Sequence, residues 1–157
     1  MNSSTRSAGA RTRGAAARPA GPLKRGCPAA EKPGRAPILI VDDDAAIRRT
    51  LAEILAMHGY AVRTASDGLE ALRVVALVEP ALVLLDMRMP LMDGWSFARE
   101  LRERGRTLPL VVMAPADRAV EWCREVGGAE PLGKPFDLGQ LLGALERVCP
   151  RRGAIRS

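Results

Sequence analysis

The sequence predicts an α/β fold: a doubly wound parallel sheet of five strands, (βα)5, preceded by a disordered N-terminal tail. Strand-like and helix-like segments alternate five times between residues 38 and 149. The best strands are continuous apolar runs, Ile38–Val41 and Ala81–Leu85, a pattern typical of strands buried on both faces. Because helical crossovers between such strands cover both faces of a parallel sheet, the alternation indicates one α/β domain.

Turn and capping residues mark the first two strand–helix units. Asp44 is a helix N-cap, and Gly59 ends the helix that follows it. The apolar side of this helix consists of Ile47, Leu51, Ile54 and Leu55. Residues 60–64 alternate weakly and predict a strand. Asp67 and Glu70 predict an N-terminal capping pair for the second helix.

The later units differ in clarity. The pattern predicts a helix, a buried strand and a short helix, in that order, over residues 94–104, 108–113 and 117–126. Residues 129–133 form only a weak strand signal, because Pro131 and Gly133 interrupt it. The last helix is the clearest: Asp137 and Gln140 form its capping box, and it carries a regular apolar stripe.

Charge divides the chain into unlike parts. The whole sequence has 24 Lys+Arg against 18 Asp+Glu, a net charge of +6. Residues 1–37 carry eight basic groups and one acidic group, whereas residues 38–149 carry thirteen basic and seventeen acidic groups, a net charge of −4. We therefore expect a disordered basic tail over residues 1–36, a folded domain over residues 37–149, and a short basic tail over residues 150–157. Nucleic acid is expected to bind weakly, if at all, and only through the N-terminal tail.

Composition excludes several other classes of protein. The apolar runs are far shorter than the roughly 20 residues that span a bilayer, so no membrane association is expected. Three cysteines are too few for a disulfide scaffold or a zinc site, and their odd number fits the reducing cytoplasm. A single histidine leaves little material for a histidine-based metal centre.

Charged residues follow three of the predicted strands. Asp42 and Asp43 end the first strand, Asp86 ends the third, and Lys134 ends the weak fifth. Ligands of parallel sheets bind at the carboxyl ends of the strands, so these side chains are expected to meet. Three carboxylates in one crevice favour a hard cation such as Mg²⁺. Asp86 is the best candidate nucleophile for an electrophilic phosphorus, and Lys134 would offset charge on the transferred oxygens.

Three motifs in order resemble the receiver domain of two-component response regulators. The motifs are Ile38-Leu39-Ile40-Val41-Asp42-Asp43-Asp44, the stretch from Leu84 to Gly94 containing Asp86-Met87-Arg88-Met89-Pro90, and Gly133-Lys134-Pro135-Phe136. The resemblance covers about residues 37–149 and implies the flavodoxin-like (βα)5 receiver fold.

The resemblance also implies roles for individual residues. Asp86 would accept phosphate from a histidine kinase or a histidine phosphotransfer protein. Asp42, Asp43 and Asp86 would bind Mg²⁺ together with the main-chain carbonyl of Arg88. Lys134 would contact the phosphoryl group, and the peptide bond that follows it is typically cis in this family.

Two positions depart from the receiver pattern. Receivers usually carry Thr or Ser at the end of the fourth strand, where this chain has Ala114. They usually carry an aromatic residue three positions before the lysine, where this chain has Pro131. Both halves of the usual switch are therefore missing, and the stretch between Ala114 and Gly128 is one or two residues short. Trp95 and Trp122 are expected to pack rather than to form a site.

The leading hypothesis is a stand-alone cytoplasmic receiver that signals through protein contact, since only eight residues follow Cys149. Its only catalysis would be its own phosphorylation and dephosphorylation. The alternative is a degenerate receiver that binds proteins independently of phosphorylation. A phosphohydrolase with an aspartate nucleophile is disfavoured, because Asp42-Asp43-Asp44-Ala45-Ala46 lacks that family's Asp-x-Asp pattern with Thr or Val two residues further on.

Overall fold

Five strands and five helices alternate along residues 36–150, the part of the chain that the computed structural model describes. The strands are β1 (Ile38–Val41), β2 (Val62–Ala65), β3 (Leu82–Asp86), β4 (Leu110–Pro115) and β5 (Glu130–Lys134). The helices are α1 (Ala45–Met57), α2 (Gly68–Leu77), α3 (Gly94–Glu103), α4 (Ala119–Val126) and α5 (Leu138–Val148). Residues 1–35 and 151–157, which make up nearly all of the tails predicted over residues 1–36 and 150–157, lie outside the described residues.

All strand pairs are parallel, and the sheet order is β2-β1-β3-β4-β5. The predicted doubly wound (βα)5 fold is confirmed. Alternate residues of each central strand face opposite layers of helices. In β1, Leu39 and Val41 pack into the core formed with α2, α3 and α4, whereas Ile38 and Ile40 pack into the core formed with α1 and α5.

The ends of several elements differ from the sequence-based predictions. The second strand begins at Val62 rather than at residue 60, because the Tyr60 N–H donates to Leu55 O at the end of α1. Strand β5 forms despite Pro131 and Gly133, since it lies at the edge of the sheet and pairs only with β4. The helix after it has the predicted capping box between Asp137 and Gln140.

Two expectations about compartment concern the described residues. None of the helices in residues 36–150 combines the length and apolar character needed to cross a bilayer. Cys123 is free and buried. The reducing compartment inferred from the cysteine count stays a prediction.

Candidate functional site

The strand register brings Asp42 and Asp86 side by side. Val41 of β1 pairs with Leu85 of β3, so the next residues along both strands are neighbours. Ile40 and Leu84 face α1 and α5, and Asp42 and Asp86 lie two residues further along the same strands, so they continue that side of the sheet. Both residues are buried, with Asp42 1% and Asp86 6% exposed. The two carboxylates therefore share one crevice at the carboxyl edge of the sheet.

Lys134 reaches this crevice from the end of β5. Its Nζ donates a hydrogen bond of 2.9 Å to Asp86 Oδ1 and lies 3.6 Å from Asp42 Oδ2. Side chains alternate along β5, so Lys134 lies on the same side of the sheet as Leu132, the side that faces α1 and α5. The Lys134–Pro135 peptide bond is cis, as the resemblance implied.

The electrostatics leave the crevice short of positive charge. Burial raises the pKa of the Asp86 carboxyl, and the charges of Asp42 and Asp43 raise it further, whereas Lys134 opposes the rise. Burial by itself lowers the pKa of Lys134, but the hydrogen bond and charge of Asp86, together with Asp42, outweigh it and raise the pKa overall. Lys134 is thus held as a cation, and one ammonium faces three carboxylates.

The donor set fits a magnesium ion. One carboxylate oxygen each from Asp42, Asp43 and Asp86 lies within 4.8 Å of the other two. Asp42 Oδ1 accepts a hydrogen bond from the Asp44 N–H, whereas Asp42 Oδ2 is buried without a hydrogen-bond partner. A buried carboxylate oxygen without a partner is unfavourable, and a hard cation that takes oxygen ligands would satisfy it.

Other contacts fix the loop that carries Asp42 and Asp43. The Asp44 side chain accepts from the N–H groups of Ala46 and Ile47, so it is the predicted N-cap of α1. Arg48 Nη1 donates to Asp42 O over 2.7 Å. These bonds hold the short turn between β1 and α1, and Asp43 is left exposed at the mouth of the crevice.

The loop after Asp86 folds back tightly on itself. The Gly94 N–H donates to Met87 O over 3.0 Å, and a Cβ at Gly94 would lie 2.9 Å from Met87 Cα. Only glycine permits this approach of the two backbones. Met87 is fully buried, whereas Arg88, whose carbonyl is the fourth expected ligand, lies exposed at the start of the loop.

The two atypical positions lie on the neighbouring strands. Ala114 is 1% exposed, packs with the core on the α2, α3 and α4 side, and pairs with Gly133 of β5. Pro131 is half-buried and pairs with Val112. Neither side chain carries a hydroxyl group or an aromatic ring.

The structure also contains an aromatic cluster whose contacts were not predicted from the sequence. Trp95 of α3 and Trp122 of α4 meet edge to face, and the Arg88 guanidinium carbon lies 5.1 Å from the centroid of the Trp122 ring. Packing of both tryptophans was expected, but three residues from three separate segments gave no local signal of their contact.

The fold and this edge define the class of protein: a doubly wound α/β protein with an acidic cluster and a lysine at the carboxyl ends of its strands. Residues 38–146 match the response regulator receiver domain family. The chain belongs to the response regulator receiver domain family, which is a family of two-component signalling.

Curated relatives and solved structures agree with this assignment. The chain is 40% identical over 116 residues to the response regulator MprA of Mycobacterium sp. (strain KMS), a match that covers 73% of this chain and 50% of the relative. The chain thus spans about half the length of the curated relatives it matches.

Solved receiver structures match most of their own length. The chemotaxis protein CheY4 of Vibrio cholerae is 32% identical with a TM-score of 0.66, over 72% of this chain and 98% of that one. The receiver domain of NtrX from Brucella abortus is 33% identical with a TM-score of 0.65, over 71% and 96%.

Proposed function

We propose that this chain accepts a phosphoryl group on Asp86 from a phosphohistidine of a histidine kinase or a histidine phosphotransfer protein. The observation that carries the proposal is the convergence of Asp86 with Lys134, at 2.9 Å, and with two further carboxylates. The signal would leave the domain through contact with another protein. The acidic character of residues 38–149 argues against nucleic acid as the partner of this domain.

The transfer is a substitution at phosphorus. A carboxylate oxygen of Asp86 attacks, a P–O bond forms, and the N–P bond of the phosphohistidine breaks. The electron pair of that bond stays on the ring nitrogen, and the histidine leaves as neutral imidazole when its other ring nitrogen carries a proton. Attack by water on the acyl phosphate later restores the Asp86 carboxylate and releases phosphate.

The chain's own residues would stabilise charge during this step. Lys134 Nζ, which now donates to Asp86 Oδ1, is placed to donate to an oxygen of the transferred group. Mg²⁺ held by Asp42, Asp43, Asp86 and the main-chain carbonyl of Arg88 would supply the further positive charge that phosphoryl transfer needs. The pKa of Lys134 is raised, so the ammonium keeps its charge throughout the neutral range.

Acetyl phosphate labelling tests the proposal. The full chain, incubated with acetyl phosphate and Mg²⁺, should gain one phosphoryl group in an intact mass spectrum, and a chelator should prevent the gain. Asp86→Ala should gain none. Asp117→Asn, which removes an exposed carboxylate of the loop before α4, is the matched control and should label like the parent.

Two results would overturn the proposal. One is an unmodified parent chain under conditions in which its circular dichroism shows a folded domain. The other is equal labelling of Asp86→Ala, which would place the phosphoryl group on another side chain.

A second candidate is a degenerate receiver, a protein-binding module whose contacts do not depend on phosphorylation. The observation that favours it is the pair Ala114 and Pro131, which removes the usual hydroxyl and aromatic groups from β4 and β5. Amide NMR spectra with Mg²⁺ and beryllofluoride, a mimic of the phosphoryl group, would separate the two candidates. Changes confined to the loops that hold Asp42 and Asp86 would favour the degenerate module, whereas changes that extend through α4 would favour the signalling receiver.

A further inference from the structure

Both tryptophans of the chain lie in one cluster beside the acceptor loop. The ring centroids of Trp95 and Trp122 are 4.9 Å apart with an interplanar angle of 68°. Trp95 Nε1 also donates a hydrogen bond of 2.8 Å to Glu125 Oε1 of α4. The cluster therefore joins α3, which follows the acceptor loop, to α4.

Arg88 covers this cluster from the acceptor loop. Its guanidinium carbon lies 5.1 Å from the centroid of the Trp122 ring, a cation–π distance, and Trp122 is 8% exposed. Within residues 36–150, Arg88 makes no ion pair. The ring contact is thus the interaction that holds the guanidinium where it lies.

We infer that Arg88 reports the phosphorylation state of Asp86 to α4: it covers Trp122 when Asp86 is a carboxylate and leaves the ring for the phosphoryl group when Asp86 is phosphorylated. The inference rests on the proposed function. It assigns the regulation of the site to a side chain of this chain in place of the missing hydroxyl and aromatic pair at Ala114 and Pro131.

Charge and reach support the exchange of partners. A phosphoryl group adds a charge of about −1.5 to −2 and three acceptor oxygens. Arg88 lies two residues after Asp86, so their Cα atoms are at most about 7 Å apart, within reach of an arginine side chain. A charge-assisted hydrogen bond to phosphate is stronger than an exposed cation–π contact, and the difference corresponds to about tenfold in population.

The test measures how far Trp122 is exposed. In a Trp95→Phe background, Trp122 is the only indole, because the chain has two tryptophans. Mg²⁺ and beryllofluoride should raise the acrylamide quenching constant of Trp122 severalfold. The indole N–H resonance of Trp122 in the otherwise unmodified chain should shift under the same conditions.

Variants separate Arg88 from other positive charges. Arg88→Gln in the same background should show high quenching without beryllofluoride and no further rise with it. Arg118→Gln removes another exposed arginine, which pairs with Glu121 on α4 at 3.0 Å, and should respond like the parent.

Fluorine NMR of bound beryllofluoride distinguishes a failure of this inference from a failure of the proposed function. Absence of a bound signal in the parent would overturn the proposed function. A bound signal with unchanged quenching of Trp122, or an equal rise in Arg88→Gln, would overturn the role of Arg88 and leave the proposed function standing.

Discussion

The carboxyl edge of the sheet has two sides that are built differently. The proposed acceptor side, Asp42, Asp43, Asp86 and Lys134, carries every charged group of the receiver motif, and its members lie within hydrogen-bonding or metal-binding distance of one another. The proposed readout side consists of Ala114 and Pro131 together with Arg88, Trp95, Trp122 and Glu125. It lacks the usual hydroxyl and aromatic groups on β4 and β5 and has a cation–π contact instead.

Accepting a phosphoryl group and reporting it place separate demands on the sequence. Acceptance needs charges at strand ends, which the register of a parallel sheet aligns. Reporting needs a side chain that can make either of two contacts, one of which is available only when the phosphoryl group is present. Several kinds of side chain can meet the second demand, so that side can change while the acceptor side stays intact.

The largest expected effect comes from removing the cation of the acceptor side. Lys134→Met should slow labelling by acetyl phosphate by about 100-fold or more, because a donor aimed at the transferred oxygens is lost. The effect is measured as the initial rate at which the phosphoryl adduct appears in intact mass spectra. Lys134→Arg keeps the charge and should retain more of the rate. A Lys134→Met rate close to that of the parent would show that the acceptor side does not depend on its lysine.

A smaller effect is expected from restoring a hydroxyl on the readout side. Ala114→Thr and Ala114→Val add the same volume at a buried position, so their difference isolates the hydroxyl. Without phosphoryl mimic, the Thr variant should be less stable than the Val variant by about 1–3 kcal/mol, because its hydroxyl is buried without a partner. Urea unfolding measures both free energies.

Beryllofluoride with Mg²⁺ should narrow this gap, since the hydroxyl then gains an acceptor. A gap that is the same with and without the mimic would show that a hydroxyl at position 114 cannot reach the acceptor side in this chain.

The third prediction concerns how the free energy of unfolding depends on pH through the titration of Asp86. Burial and the charges of Asp42 and Asp43 raise the pKa of Asp86 in the folded chain, so the folded state holds this proton more tightly than the unfolded state. As pH rises from about 4 through the raised pKa, the parent should therefore lose stability relative to Asp86→Asn. Urea unfolding at several pH values measures the difference, and Mg²⁺ should reduce it. A difference that is constant with pH would mean that Asp86 titrates alike in both states.

The acceptor side could be predicted from the sequence for a physical reason. Continuous apolar runs fix where strands end, and side chains alternate along a strand, so Asp42, Asp86 and Lys134 had to lie at one edge. Strand β5 was predicted only weakly, because Pro131 and Gly133 disfavour a strand that pairs on both sides, and an edge strand escapes that restriction.

The readout side could not be predicted in the same way. Arg88, Trp95 and Trp122 come from a loop and two helices, and their contact depends on how α3 and α4 pack and on side-chain rotamers. Local capping has a similar limit. Asp67 caps α2 as predicted and accepts from the Glu70 N–H at 2.9 Å, but the Glu70 Oε1 accepts from the N–H and hydroxyl of Ser66, at 2.7 and 2.8 Å, rather than from the Asp67 N–H. The N–H and hydroxyl of Ser66 together offer the Glu70 carboxylate two donors, whereas the Asp67 N–H offers one. A capping pattern in the sequence does not show which of these donors the carboxylate binds.

The smallest expected effect lies at the far end of the readout side, in the hydrogen bond from Trp95 to Glu125. Glu125→Ala removes the acceptor of Trp95 Nε1 in an exposed pair, so the free energy of unfolding should fall by less than about 1 kcal/mol. The rate of labelling by acetyl phosphate should not change, because Glu125 belongs to the readout side only. Glu121→Ala is the matched control, since it removes the exposed partner of Arg118 on the same helix. The indole N–H resonance of Trp95 should shift in Glu125→Ala and stay in place in Glu121→Ala. A slower labelling rate in Glu125→Ala alone would mean that the two sides are coupled even before phosphorylation and do not act separately.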